Sequence, residues 1–397
     1  MMKKLVMFGG MDLRQVQGIN LVINYLIQGS RYFHEIQITK VYGGQQIVDV
    51  ANGGQMPIGS DIGTSQYTFR RKVRSMLREL FSSEHYVFAM LKYYLNVIRP
   101  TKKALHNYMV SEDKADYILF HGILSAYYHY KMHGGSVPEK CAVIIHAADD
   151  DMGQFFDQYP AFKGKKQKEI LAQRDYVYEH IDKVVYISKK AYDNSRVPSE
   201  KKCVIYNGID DISYDFSDKK NGIINLVCVG SMSGWKGQEF VNQALMRINK
   251  DCLDKLHVCF VGDGAERANL EQQVRDGHIE EYVTFMGARK DVAEILRSQD
   301  VFIMPSKNEG LSIATIEGIR AGLFMLLTDA GGNKEIMGDE GGMVIKRDAN
   351  DIKEKICRII DEQLVSKEQK ERSRAHFLKY FTTEKFITGY EKMFLSL

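Results

Sequence analysis

The stretch Val301-Phe-Ile-Met-Pro-Ser-Lys-Asn-Glu-Gly-Leu-Ser-Ile-Ala-Thr-Ile-Glu-Gly-Ile-Arg-Ala-Gly322 decides how this 397-residue chain reads. Its first four residues are an unbroken apolar run, the pattern of a strand buried on both faces of a parallel sheet. Pro305 and Gly310 punctuate a turn, and helical spacing begins at about Ser312. A strand that turns into a helix leaves free backbone N–H groups and a positive dipole end beside the strand tip, which suits a phosphate. Glu309 lies in the turn and Glu317 two helical turns later. A carboxylate accepts two hydroxyl hydrogen bonds at once, so it suits a diol such as that of a ribose. The same design precedes it. The run Ile224–Val229 leads into Gly230-Ser-Met-Ser-Gly-Trp-Lys236-Gly237, where a lysine beside a Gly-rich turn supplies a point charge for a pyrophosphate. A third turn, Val261-Gly-Asp-Gly264, lacks the last glycine of the dinucleotide fingerprint, which argues against a Rossmann oxidoreductase.

Apolar runs alternate with helical patterns throughout. In the first half they are Leu5–Phe8, Ile36–Val41, Tyr117–Phe120, Val143–Ile145, Val184–Ile187 and Val204–Tyr206. In the second half they are Ile224–Val229, Val258–Val261, Val283–Met286, Val301–Met304, Phe324–Leu327 and Met343–Ile345. This alternation predicts an α/β protein with parallel sheets. An eight-stranded barrel fits poorly, because residues 52–116 are poor in strands. The expected fold is two doubly wound, Rossmann-like domains. Residues 1–208 form the first and 209–381 the second, with a turn at Asn207-Gly208 between them. A helical tail, 382–397, is expected to cross back to the first domain.

The net charge of +3 is a cancellation. Residues 1–208 carry 28 Lys and Arg against 20 Asp and Glu, and residues 209–397 carry 26 against 31. The excess concentrates in 67–108, where nine basic residues interleave with aromatics against Glu79 and Glu84. Helical spacing of Val73, Met76, Leu77 and Leu80 predicts a basic amphipathic helix over 70–81, bearing Arg70, Arg71, Arg74 and Arg78. Such a helix reads as an anionic membrane-surface element. No nucleic-acid module accompanies it, so no nucleic-acid partner is expected. No apolar run approaches the ~18 residues of a membrane span. Lys3-Lys4 followed by Leu5–Phe8 reads as a first strand rather than a signal peptide, because no cleavage site follows. The six cysteines show no metal-ligand spacing, and a reduced, cytoplasmic protein, peripheral at the inner membrane face, is the expectation.

Taken together these pieces resemble the retaining nucleotide-sugar glycosyltransferases of family 4, with the GT-B fold. The resemblance rests on VIYNGID (204–210), VGSMSGWKG (229–237), VGDGAERANL (261–270), VTFMG (283–287), PSKNEGLSIATIEGIRAGL (305–323) and TDAGGNKEI (328–336). Glu309 and Glu317 match the family's Glu-x7-Glu signature in spacing and setting. The resemblance implies a donor cleft between the domains. Lys236 would hold the donor diphosphate and Glu317 the ribose hydroxyls, with Glu309 facing the sugar and phosphate. The backbone of Gly310, Leu311 and Ser312 would cradle the phosphate, and Arg289 would lie near the base. In the first domain the turn with Gly9, Gly10 and Gly18 resembles the family's acceptor-side loop. His146 matches the family's strand-end histidine near the donor sugar, with His121 a competing candidate.

The chain departs from the family at two points. Ser231 occupies the donor-site position usually held by arginine, and Phe324 stands where proline is usual. The implied activity is metal-independent hexosyl transfer from a nucleotide-sugar, expected to be a UDP-sugar, to a glycan or lipid-linked acceptor of a surface polysaccharide or glycolipid. A non-catalytic partner subunit of the same fold is the alternative, motivated by Ser231. Asp149-Asp150-Asp151 follows a strand and could hold a hard cation. The Glu pair, Lys236 and Asn207-Gly208-Ile209-Asp210 point instead to metal-independent chemistry, so no metal or cofactor is expected.

Overall fold

The structure, a computed structural model, describes residues 2–9, 18–44, 46–57, 85–147, 152–216 and 222–397. The expected helix at 70–81, Gly10 and the triplet Asp149 to Asp151 lie outside the described residues. The chain divides into two compact units. The first comprises Met1–Ile187, Ala191–Ile205 and Phe386–Leu397, and the second comprises Ser188–Lys190 and Tyr206–Lys385.

Each unit is built on one sheet with helices between its strands. In the first unit the strands are β1 (Lys3–Phe8), β2 (Ile36–Gly43), β3 (Gln46–Asp49), β4 (Tyr117–Phe120), β5 (Lys140–Ile145), β6 (Lys183–Tyr186) and β7 (Lys202–Val204). Their order is β3-β2-β1-β4-β5-β6-β7. All neighbours run parallel except β3, which pairs antiparallel with β2. The strand β3 has no apolar run to announce it. Only Ile47 and Val48 are large and apolar, and pairing with β2 makes it a strand. The last strand also begins two residues earlier than the apolar run Val204–Tyr206 suggests, since Val184–Tyr186 pairs with Lys202–Val204.

The second unit holds β8 (Ile224–Val229), β9 (Leu256–Val261), β10 (Val283–Gly287), β11 (Val301–Met304), β12 (Phe324–Thr328) and β13 (Gly342–Ile345), in the order β10-β9-β8-β11-β12-β13. Every pairing is parallel. The central strand β11 is wholly buried, which explains its unbroken apolar sequence. The chain winds outward from β8 to β10, then crosses back to β11. The strand order therefore reverses between β8 and β11, the switch point at which folds of this kind bind ligands at the carboxyl ends of the strands. The first sheet has the same reversal between β1 and β4.

The last helix, Thr383–Leu395, carries the chain into the first unit at Phe386. There the Phe394 ring meets Tyr117 at 4.9 Å, and the Glu391 carboxylate accepts the backbone N–H groups of His34 and Glu35. Cys252 and Cys357 fall outside the apolar runs of the sequence. Their sulfurs meet at 3.4 Å between the short helix Lys250–Leu253 and the helix Ala349–Asp361.

Candidate functional site

At the switch point of the second unit, the loop after β8 supplies Lys236 and the loop after β11 supplies Glu309. The Lys236 ammonium donates to Glu309 Oε1 at 2.5 Å. Ser306 Oγ donates to the same oxygen at 2.6 Å, and Thr328 Oγ1, at the end of β12, donates to the Ser306 carbonyl at 2.7 Å. Glu309 is only 8% exposed. A buried carboxylate needs such partners, because its desolvation cost is otherwise uncompensated. Gly237, which follows Lys236, has φ of +75° and passes so close to Pro305 that a Cβ would lie 2.3 Å from that carbonyl oxygen. This contact sets the β8 loop against the β11 loop.

Gly310, Leu311 and Ser312 lead into the helix Ile313–Arg320. The Gly310 carbonyl accepts from the Gly332 N–H at 2.8 Å, and the Leu311 carbonyl accepts from Asn207 Nδ2 at 3.0 Å. In a planar trans peptide the N–H points opposite to the C=O. Holding these two carbonyls on one side therefore aims the N–H groups of Leu311 and Ser312 to the other. Ser312 caps the helix, its Oγ accepting from the Thr315 N–H. The result is a preformed cluster of donors at a helix N-terminus, the arrangement that binds phosphate.

Glu317 lies within this helix. Burial pushes its carboxyl above the usual carboxylate range, and the nearby Arg320 guanidinium opposes the shift. Ser231 is exposed and contributes no charge, and its carbonyl accepts from Gln238 Nε2 at 3.1 Å. Arg289 is exposed and forked onto Asp291, through Nε at 2.8 Å and a terminal nitrogen at 2.5 Å.

In the first unit, His121 follows β4 and His146 follows β5. The two imidazoles stack at 5.3 Å between centroids, and His121 Nδ1 and His146 Nε2 share one hydrogen bond at 3.2 Å. The competing candidates are therefore a single pair. They line a cavity of about 320 Å³ with Phe8, Gly9 and Tyr42, at the switch point of the first sheet. Gly18 begins the helix Gly18–Gln28. Burial lowers both imidazoles, His146 to about 4, and the neighbouring ring adds to the shift on His121. Both are neutral at pH 7, so the pair offers hydrogen bonds rather than charge.

A folded-state pKa below the ordinary 6.5 means that the unfolded chain takes up a proton first as pH falls. Stability contributed by neutral His146 is then complete above about pH 6.5 and declines toward pH 4. The expected loss from His146 is about 2 kcal/mol between pH 7 and pH 5. Urea unfolding at the two pH values, with and without His146→Gln, measures it; an unchanged pH slope in the variant would count against this assignment.

Residues 224–362 match the family model described as "Glycosyl transferases group 1". The chain is similar to the N-acetyl-alpha-D-glucosaminyl L-malate synthase of Bacillus anthracis, at 27% identity over 50% of this chain and 54% of that protein. It is similar to the O-antigen biosynthesis glycosyltransferase WclY of Escherichia coli, at 30% identity over 38% and 45% of the two chains. It also shares its fold with Anabaena Alr3699/HepE, crystallised in complex with UDP, at a TM-score of 0.67 and 14% identity over the full length of both chains. By fold, the chain is of the GT-B type. The chain spans about half the length of these curated relatives.

In this GT-B chain the structure brings Lys236 directly onto Glu309 and continues the Glu309 loop into Gly310, Leu311 and Ser312. It does not bring Arg289 to them by any hydrogen bond, since its guanidinium is taken by Asp291. Ser306, Thr328 and Asn207 were not singled out as site residues by the sequence reading. Asn207 and Thr328 lie within the matched motifs VIYNGID and TDAGGNKEI, which was the available signal. Ser306 likewise lies within the matched stretch 305–323, but its role depends on which oxygen its hydroxyl meets.

Proposed function

We propose that the protein transfers a hexose from a nucleotide-sugar, with a UDP-sugar as donor, to a glycan or lipid-linked acceptor in surface polysaccharide or glycolipid biosynthesis. The observation that carries this reading is the Lys236–Glu309 pair at the switch point, beside the donor cluster of Leu311 and Ser312. The names of the similar bacterial proteins and the UDP in the Anabaena structure support it.

The leaving diphosphate develops negative charge as the glycosidic bond to it breaks. Lys236 and the helix N-terminus at Ser312 stabilise that charge without having to reorganise. Glu317 accepts the ribose hydroxyls. The carboxylate of Glu309 is engaged by Lys236 and Ser306, which favours a supporting role over that of a covalent nucleophile. Retention then follows from attack on the same face, with the leaving phosphate oxygen taking the acceptor's proton. No metal is required.

The test is a thermal-shift screen across UDP-, GDP- and ADP-sugars, followed by NMR of the anomeric product in EDTA. Binding stabilises the native state, so a UDP-sugar is expected to raise the melting temperature most. No shift with any donor would overturn the reading. Ser231 motivates a second one, a binding subunit without turnover, because a donor-site cation is missing there. Binding with no hydrolysis or transfer would favour it.

A further inference from the structure

The helix that follows the undescribed segment has an outer face unlike any other in the described residues. It runs continuously as Tyr86–Tyr93, a π-helical turn Tyr94–Ile98, and Arg99–Met109. Its inner face is core: Ala89, Tyr93, Ala104, Leu105 and Tyr108 are all buried. Its outer face begins with large apolar side chains. Val87 is 74% exposed, Leu91 50%, Tyr94 51% and Leu95 45%. The stripe then turns basic, with Arg99, Lys102 and Lys103 exposed. No acidic residue occurs between Tyr86 and Tyr108.

We propose that this face docks on an anionic lipid bilayer, with Val87, Leu91, Tyr94 and Leu95 entering the interface and Arg99, Lys102 and Lys103 meeting the headgroup phosphates. Exposed apolar residues in a patch mark an interaction site. Charge complementarity selects the partner. A second copy docked face to face would bring the same cations against themselves, whereas an anionic leaflet attracts each of them. No helix of the described residues is long and apolar enough to cross a membrane. The helix would therefore lie in the interface plane, as amphipathic helices with apolar and basic residues do. Lys102 already lies over the Tyr128 ring at 5.0 Å, which keeps its stem along the protein and its charge available. This proposal goes beyond the transfer reaction and uses none of its residues.

The test is co-sedimentation of the full chain with vesicles of phosphatidylcholine alone, or with 30% phosphatidylglycerol, in about 0.1 M salt. The parent is expected to bind the anionic vesicles preferentially. Leu91→Glu/Leu95→Glu is expected to lower binding at least tenfold. Arg99→Glu/Lys103→Glu is expected to lower it about tenfold and to abolish the preference for anionic lipid. Leu378→Glu, an exposed apolar position on another helix, is expected to leave binding unchanged. A fluorophore on Leu91→Cys should shift to the blue with anionic vesicles, which reads insertion in a chain whose face is otherwise intact. Equal binding to both vesicle types, or unchanged binding by Leu91→Glu/Leu95→Glu, would overturn the proposal. So would a dimer in sedimentation velocity that the leucine variant dissociates, without vesicle binding. Donor hydrolysis measured without vesicles stays independent of all these outcomes, so failure here is separable from failure of the transferase reading.

Discussion

Lys236→Ala is expected to slow sugar transfer about 10²–10³-fold, the size of effect seen when one preorganised charge or donor is removed from a developing anion. The same change also disturbs the resting protein. It leaves Glu309, buried with Ser306 as its other side-chain partner, without a counter-charge. Breaking a buried pair by removing one partner costs about 3–5 kcal/mol. Lys236 is itself partly exposed, so about 2–3 kcal/mol is the expected loss of stability. A double-mutant cycle separates the two effects. Glu309→Gln in the Lys236→Ala background removes the orphaned charge, and most of the lost stability should return. Transfer should not return, because the diphosphate still lacks its cation. Urea unfolding and single-turnover transfer on all four proteins measure this. Recovery of both together would mean that Lys236 serves only to neutralise Glu309. Full transfer by the single variant would remove Lys236 from the mechanism.

Gly331→Ala is expected to destabilise the second unit by about 3 kcal/mol or more and to abolish donor binding. Gly331 has φ of +49°, and a Cβ there would lie 1.7 Å from the Glu309 carbonyl oxygen and 2.7 Å from that of Gly310. The positive φ alone costs alanine about 1 kcal/mol. The remainder comes from the backbone that must move, and that backbone carries Glu309 and the phosphate-facing peptides. Gly222→Ala is the control. It has φ of +68° with nothing within 4 Å of its Cβ, so it should cost about 1 kcal/mol and leave donor binding intact. Thermal unfolding with and without a UDP-sugar distinguishes the two. Equal effects would show that conformation, and not the close approach of the β11 and β12 loops, is what the glycine at 331 provides.

Much of the fold was legible because parallel strands buried on both faces must be continuously apolar. Val301–Met304 and Ile224–Val229 are read directly from that rule. The edge strand Gln46–Asp49 was not, since its only warrant is a partner. The segment rich in arginine drew the reading toward 70–81. The exposed apolar stripe at 87–95 looks, in sequence, like any core helix. Only burial shows that Val87, Leu91 and Leu95 face outward while Ala89 and Tyr93 face in. Likewise His121 and His146 competed for one role until their rings were found stacked.

The sequence by itself determined the alternation of strands and helices, the glycine turns at the strand ends, and the carboxylates at 309 and 317. These follow from local rules of periodicity, turn chemistry and helix starts. Only the tertiary structure decided that Lys236, 73 residues away from Glu309, would neutralise it. It also decided that carbonyls held by Gly332 and Asn207 would aim the N–H groups of Leu311 and Ser312. The reason is physical. A switch point exists only when strands β8 and β11 lie side by side, and no local pattern encodes which loops that brings together.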